Sequence, residues 1–192
     1  RVLFRSSLSS DVKKEICSVE QFDREALKAE LYGMLLFSRN FSPNKITFTT
    51  ESNYAGNRLI FLLQNLYMPI IEKQSALRTK SSDSHLYKII VVDGNDCKRI
   101  FEDFGHTDGQ ITLRVNRANL SSEELSQAFL RGVFLSCGSV SDPMKSYHLE
   151  FCVPHKNLSH DLCKILSEIT ECTLIPKTPT RSRTRMPTGP CR

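Results

Sequence analysis

Apolar residues recur at helical spacing over Phe22–Phe37, at positions 22, 26, 27, 31, 34 and 35, which predicts a helix with one buried face. The period then changes. Over Lys45–Glu51, Ile46 and Phe48 fall to one side and Lys45, Thr47 and Thr49 to the other, the mark of a half-buried strand. Ser52 is placed to cap a helix reaching about Tyr67, with Leu59, Leu62, Leu63 and Leu66 inward. Between these lies an early strand or turn near Phe41–Asn44. A strand from Pro69 to Leu77, a polar turn over Arg78–Ser84, an apolar strand over Leu86–Val92 and a helix over Gly94–Phe104 complete this series. Ahead of it, Ser10 can cap a short helix over Asp11–Val19. Gly105–Asn119 reads as a linker with a short strand at Ile111–Val115.

A second series opens at Ser121-x-x-Glu124, a capping box in which hydroxyl and carboxylate satisfy free N–H groups reciprocally. Its helix is expected to end near Cys137, with Gly138 as the residue that breaks it. The Asp142-Pro143 turn leads into a strand over Tyr147–Val153. There Tyr147, Leu149, Phe151 and Val153 share one face, and His148, Glu150 and Cys152 the other. Asn157–Ile169 is a helix and Thr173–Pro176 starts a strand, after which the pattern stops. The chain therefore divides into a helical arm (1–21), a first unit with its linker (22–120), a shorter second unit (121–176) and a tail (177–192).

The two main helices echo one another. Aligning AELYGMLLFS (29–38) with AFLRGVFLSC (128–137) matches Ala29 to Ala128, Leu31 to Leu130, Gly33 to Gly132 and Leu36 to Leu135. Glycine inside a helix costs roughly 1 kcal/mol relative to alanine. A chain that places it twice in one frame gains close approach of two helix backbones. Ala29 and Gly33 form one small-residue face, and Ala128, Gly132 and Ser136 the other.

This pair of helices resembles the motif of LAGLIDADG homing endonucleases, and more specifically the WhiA family of sporulation and cell-division regulators. The likeness is carried by Leu130-Arg131-Gly132-Val133-Phe134-Leu135, Gly138-Ser139-Val140, Asp142-Pro143 and Ser146-Tyr147-His148-Leu149-Glu150, with support from Ser9–Glu15 and Ala29-Glu30-Leu31. It covers roughly residues 9–176. The resemblance implies an α+β fold of two tandem αββαββ units related by a pseudo-twofold axis, the second truncated. It also implies a C-terminal helix-turn-helix domain that nothing in this sequence matches, so the chain reads as a fragment or as a shifted reading frame after about Lys177. In the nucleases each motif helix ends in an acid that binds a divalent cation. Here those positions are Ser38 and Cys137, neither an anionic oxygen ligand. No catalytic residue, metal or cofactor is therefore expected, and the chain should not be an enzyme.

Charge sharpens this picture. The formal net charge is +5, yet Lys177, Arg181, Arg183, Arg185 and Arg192 account for all of it. Residues 1–176 hold equal numbers of basic and acidic side chains, and the Pro/Thr/Arg tail lacks any apolar period, so a disordered tail is expected. The cysteines at 17, 97, 137, 152, 163, 172 and 191 show no C-x-x-C pair, which fits free thiols in a reducing cytoplasm. His155 and His160 are five apart, the wrong interval for one helix face. No apolar run approaches the roughly 20 residues of a membrane span, so no membrane partner is expected.

If the sheet keeps the nuclease geometry, its helix-free face forms a saddle over double-stranded DNA. Lys45, Thr47 and Thr49 would face the duplex, with Arg78 and Lys80 near phosphates and Lys145 and His148 in comparable places in the second unit. Glu51 and Glu150 would oppose phosphate, so binding by this chain alone should be weak. The expected role is a non-catalytic, nucleoid-associated DNA-binding transcriptional regulator. The alternatives are a module that binds a protein partner on the same fold, and an endonuclease with relocated ligands.

Overall fold

The computed structural model describes residues 8–79, 82–110, 112–141 and 148–169. Helix α1 (Leu8–Ser18) is followed by α2 (Arg24–Leu36), β1 (Asn40–Ser42), β2 (Lys45–Thr50), α3 (Asn53–Leu66), β3 (Ile71–Thr79), β4 (Ser82–Val91) and α4 (Gly94–Asp103). After a 3₁₀ turn at Arg117–Leu120 come α5 (Glu123–Cys137), β5 (Gly138–Val140), β6 (Leu149–Phe151) and α6 (Lys156–Ile169). The expected α+β class is the observed one. The first series builds a four-stranded antiparallel sheet in the order β1-β2-β4-β3, and the second a two-stranded ribbon, β5-β6.

Helix starts are set by short polar side chains that take free N–H groups. Asp23 accepts from the Ala26 N–H at 2.9 Å, and Ser52 from the Ala55 N–H at 3.3 Å. Asp93 caps α4 in the same way. At α5 the cap is Ser122, which accepts from the Leu125 N–H at 3.3 Å, one residue later than the expected capping box. Ser121 instead closes the preceding 3₁₀ turn, and that turn consumes the residue. Gly138 is not the left-handed break expected of it: at φ −81°, ψ 148° it is extended and runs straight into β5. Its lack of a side chain still matters, because a Cβ there would meet the backbone of Phe134 at 2.8 Å. Phe22 was expected inward but lies ahead of α2 and is 87% exposed, since the Asp23 cap starts the helix after it. The described part of Ile111–Val115 forms no strand.

The centre of the molecule is the crossing of α2 and α5. A Cβ built on Gly33 would run into the Phe129 carbonyl and lie 2.9 Å from the Val133 nitrogen. One built on Gly132 would strike the Glu30 carbonyl and lie 2.9 Å from the Met34 nitrogen. The two backbones therefore touch at their glycines. Ala29 and Ala128 are buried beside them, whereas Ser136, one turn further along α5, is only half-buried. Around the crossing, Tyr32 stacks on Phe104 at 4.8 Å between ring centroids, and Phe129 packs against Tyr32 and Phe37.

Tyr32 also anchors the linker. Its oxygen accepts from the Asn116 N–H at 2.8 Å, and its hydroxyl faces His106 Nε2 at 3.1 Å. His106 Nδ1 lies 3.0 Å from Gln110 Oε1, so Nδ1 carries the proton and Nε2 accepts from Tyr32. The ring sits among Phe41, Phe101 and Tyr32. Burial lowers its pKa, opposed by the Gln110 hydrogen bond. The neutral imidazole is the form that fits, so its contribution is complete above the ordinary value of about 6.5 and is lost as pH falls through that value toward the lower folded one. Thermal stability should therefore fall between pH 7.5 and pH 5, by at most about 1.4 kcal/mol per pH unit for one proton. His106→Gln should remove most of that slope. A variant with the parent's slope would show that other groups carry it.

Candidate nucleic-acid interface

Strand parity and register assign the side chains of the helix-free sheet face. From β2 come Lys45, Thr47 and Thr49, because Ile46, Phe48 and Thr50 point into the core. Ser42 stands opposite Lys45, and Asn40 and Ile90 flank Thr47. Lys88 stands opposite Thr49, with Gln74 beyond it and Glu72 beyond Ile90. Cross-strand partners share a face, so these residues form one surface. Lys45, Thr49, Lys88, Gln74 and Glu72 are exposed. Gln74 Nε2 donates to Glu72 Oε1 at 2.8 Å. The described charges of the surface are therefore the Lys45 and Lys88 ammonium groups against the Glu72 carboxylate.

Thr47 requires a correction. It lies on the expected face but is only 3% exposed, so it cannot reach a duplex. It sits on an inner strand with Asn40 and Ile90 on either side, and a short β-branched side chain there is covered by its neighbours. Its hydroxyl makes no hydrogen bond among the described residues. Arg78 falls in β3 at the register shift between Leu77 and Thr79. Lys80 and Lys145 lie outside the described residues, as do the Asp142-Pro143 turn and the strand expected at Thr173. His148 enters β6 half-buried, and its N–H donates to Ser141 Oγ at 3.0 Å. Leu149 is 56% exposed: it pairs with Val140 at the end of the ribbon away from α5. Phe151 at the near end meets Phe134 edge-on.

Lys88 was missed from sequence. Its signal was present, because Lys88 alternates with Tyr87, Ile89 and Val91, and only the pairing with Thr49 shows which sheet face it joins.

The ends of α2 and α5 carry Ser38 and Cys137. Ser38 is buried, and its hydroxyl donates to the Leu35 carbonyl at 2.6 Å. Cys137 ends α5, and burial pushes its thiol up to about 12, with Cys152 adding to the shift and Lys13 opposing it. The Lys13 ammonium of α1 lies 3.4 Å from the Leu135 carbonyl and over the Phe134 ring. A cation is favourable at a helix C-terminus, and here the protein supplies its own. No part of the sequence near the motif announces it, because Lys13 arrives from a separate helix. Among the described residues no group of three His, Cys, Asp or Glu side chains could hold a metal ion.

The second unit is fastened to the linker by ion pairs. Arg114 bonds both oxygens of Asp161, at 2.8 and 2.6 Å, and Asp161 also accepts from the Val115 N–H. Although burial opposes it, these hydrogen bonds hold the Asp161 carboxyl below its ordinary pKa. Arg117 bonds Glu168 through two further hydrogen bonds. Among the described residues no helix is long and apolar enough to cross a membrane.

Residues 126–184 match the family model described as the WhiA LAGLIDADG-like domain. The chain is 33% identical over 171 residues to a probable cell division protein WhiA of Clostridium novyi (strain NT), covering 84% of this chain and 54% of the relative. A protein of the same description from Ruminiclostridium cellulolyticum is 32% identical over 165 residues, covering 83% and 52%. The chain thus spans about half the length of the curated relatives it matches. In structure it is similar to the N-terminal LAGLIDADG domain of DUF199/WhiA, with a TM-score of 0.61 at 22% identity over 88% of this chain and 78% of that one. It is also similar to full-length DUF199/WhiA from Thermatoga maritima, with a TM-score of 0.59 at 21% identity over 86% and 51%.

Proposed function

The chain belongs to the WhiA family, whose members are named probable cell division proteins, and from that premise we propose that it is a non-catalytic DNA-binding regulator of cell division and sporulation. It acts at the nucleoid and uses a degenerate homing-endonuclease fold to bind rather than cut. The observation that carries this reading is the chemistry at the ends of α2 and α5. Metal-assisted phosphodiester hydrolysis needs hard oxygen ligands converging on a divalent cation. Ser38 is occupied by its own helix, Cys137 is a half-buried thiol held up in pKa, and the Lys13 ammonium at the end of α5 would repel a second cation.

The helix-free sheet face is the proposed contact with double-stranded DNA. Lys45 and Lys88 each neutralise one phosphate, Thr49 and Gln74 lie between them, and Glu72 works against them. With so few cations, affinity in the non-specific range of about micromolar or weaker is expected at physiological salt. The near balance of charge on this face also favours a second reading, in which the same surface meets a protein partner.

Two arms test the proposal. Supercoiled plasmid incubated with the protein and Mg²⁺ or Mn²⁺ should stay intact; nicking abolished by EDTA would end the non-catalytic reading. Duplex DNA titrated at two salt concentrations should bind, and replacing Lys45 and Lys88 by Ala should flatten the salt slope by about 1.8, at roughly 0.9 per phosphate contact. An unchanged slope would remove this face from the interface and favour the protein-partner reading.

A further inference from the structure

The β5-β6 ribbon continues one pair beyond its last strand residues. Gly138 stands opposite Phe151, so the next pair in register is Cys137 and Cys152. The Cys152 N–H donates to the Cys137 carbonyl at 2.9 Å, which confirms the register at that position. The Ser141 N–H donates to the His148 carbonyl at 3.0 Å, two alternations away, so one cross-strand backbone bond is made in the same register at each end of the ribbon. Residues directly opposed across an antiparallel pair have Cα atoms about 4.5–5.5 Å apart, within the range that a disulfide spans. Both thiols are free, with Cys137 half-buried and Cys152 exposed.

We propose that Cys137 and Cys152 form a reversible cross-strand disulfide that clamps β6 to the end of α5. The oxidant is a hydroperoxide. The Cys152 thiolate attacks one peroxide oxygen and becomes a sulfenic acid as the other oxygen leaves as hydroxide; Cys137 sulfur then attacks Cys152 sulfur, the sulfenic oxygen leaves as water, and the S–S bond closes. In sum, two thiols and one hydrogen peroxide give one disulfide and two waters. Cys152 is the first to react because it is the exposed member. The resolving thiol stands at the helix end where the related nucleases carry an acid, so the chain has placed soft chemistry in a position built for hard chemistry.

Burial raises both thiol pKa values, and the Glu150 carboxylate raises that of Cys152 further. The thiolate is the nucleophile, so closure is slow at neutral pH and faster as pH rises. Other charges reaching these thiols do not reverse this, although Lys13 lowers the Cys137 value. Cys17, the thiol of α1 near Lys13, is not among the groups that act on Cys137.

The test is a non-reducing peptide map of the full chain after hydrogen peroxide at pH 7 and pH 9. The expected product is a Cys137–Cys152 linked peptide lighter by two hydrogens, formed faster at pH 9 and returned to free thiols by dithiothreitol. Cys137→Ser should leave Cys152 as a sulfenic acid that dimedone traps, whereas Cys152→Ser should leave Cys137 unoxidised. The proposal is overturned if Cys152 links to a different cysteine. Sulfinic acid at Cys152 with Cys137 still free, or no oxidation of either thiol at both pH values, would overturn it equally.

Discussion

Replacing Gly132 by alanine should destabilise the protein by about 3 kcal/mol, near the upper end of the usual overpacking range, and lower its Tm by roughly 6–12 °C. The sign of this effect is what makes it informative. In an ordinary helix interior the same change is favourable by up to about 1 kcal/mol, because alanine is the better helix former. Here a Cβ would drive into the Glu30 carbonyl with the Met34 nitrogen 2.9 Å away, and both obstacles are backbone. A flexible side chain could swing aside, but a backbone cannot move without separating α2 from α5. Gly33→Ala should act alike, since its Cβ would meet the Phe129 carbonyl. The double variant should cost less than the sum, because separating the helices once relieves both clashes. A thermal melt of either single variant at or above the parent's would mean that the helices do not cross at these glycines.

That crossing was legible in the sequence for a physical reason: a glycine in an apolar helix has a cost, and a repeated cost implies a repeated gain. Ala29, Gly33, Ala128 and Gly132 all stand at or beside the contact. The helices α3, α4 and α6 were equally readable, since each has a strong amphipathic period and α3 and α4 also have a clear polar cap. What sequence conveyed poorly was anything set by neighbours across the fold. Alternation identified the face of Thr47 but not its cover, because exposure on a sheet depends on the strands to either side. Alternation also put Leu149 on one face with Phe151, yet the described ribbon has one partner strand and leaves the Leu149 end uncovered. The Ser121 capping box failed because Ser121 had a second use, in closing a 3₁₀ turn whose own start is an Asn116 side chain. The candidate site shows the same division. That Ser38 and Cys137 are not anionic oxygen ligands is readable from their identity, whereas Lys13 reaches the end of α5 from α1 across a distance that no local pattern records.

The buried ion pair between α2 and α3 leads to the second large effect. Glu30 is 1% exposed and Arg58 bonds both its oxygens, at 2.8 and 2.9 Å. Cys17 of α1 lies close enough that both charges act on its thiol, which burial pushes up to about 11. The pair is thus enclosed between three helices, and its hydrogen bonds to Glu30 raise the Arg58 pKa despite burial. Arg58→Met keeps much of the side-chain volume but leaves a carboxylate in an apolar setting without a partner. Such changes cost about 3–5 kcal/mol, because the charge has lost its solvation and gained nothing in return. Acidification should return part of the loss to this variant, since an unpaired buried carboxyl favours its neutral form and the fold then stabilises as pH falls. Replacing both residues by Met should recover most of the stability, because a buried pair contributes little beyond an apolar pair of similar volume. Equilibrium denaturation of the two single variants and the double variant separates the outcomes. Additive losses in the double variant would show that Glu30 and Arg58 stabilise the fold through separate contacts, and the three-helix junction would then not depend on their pairing.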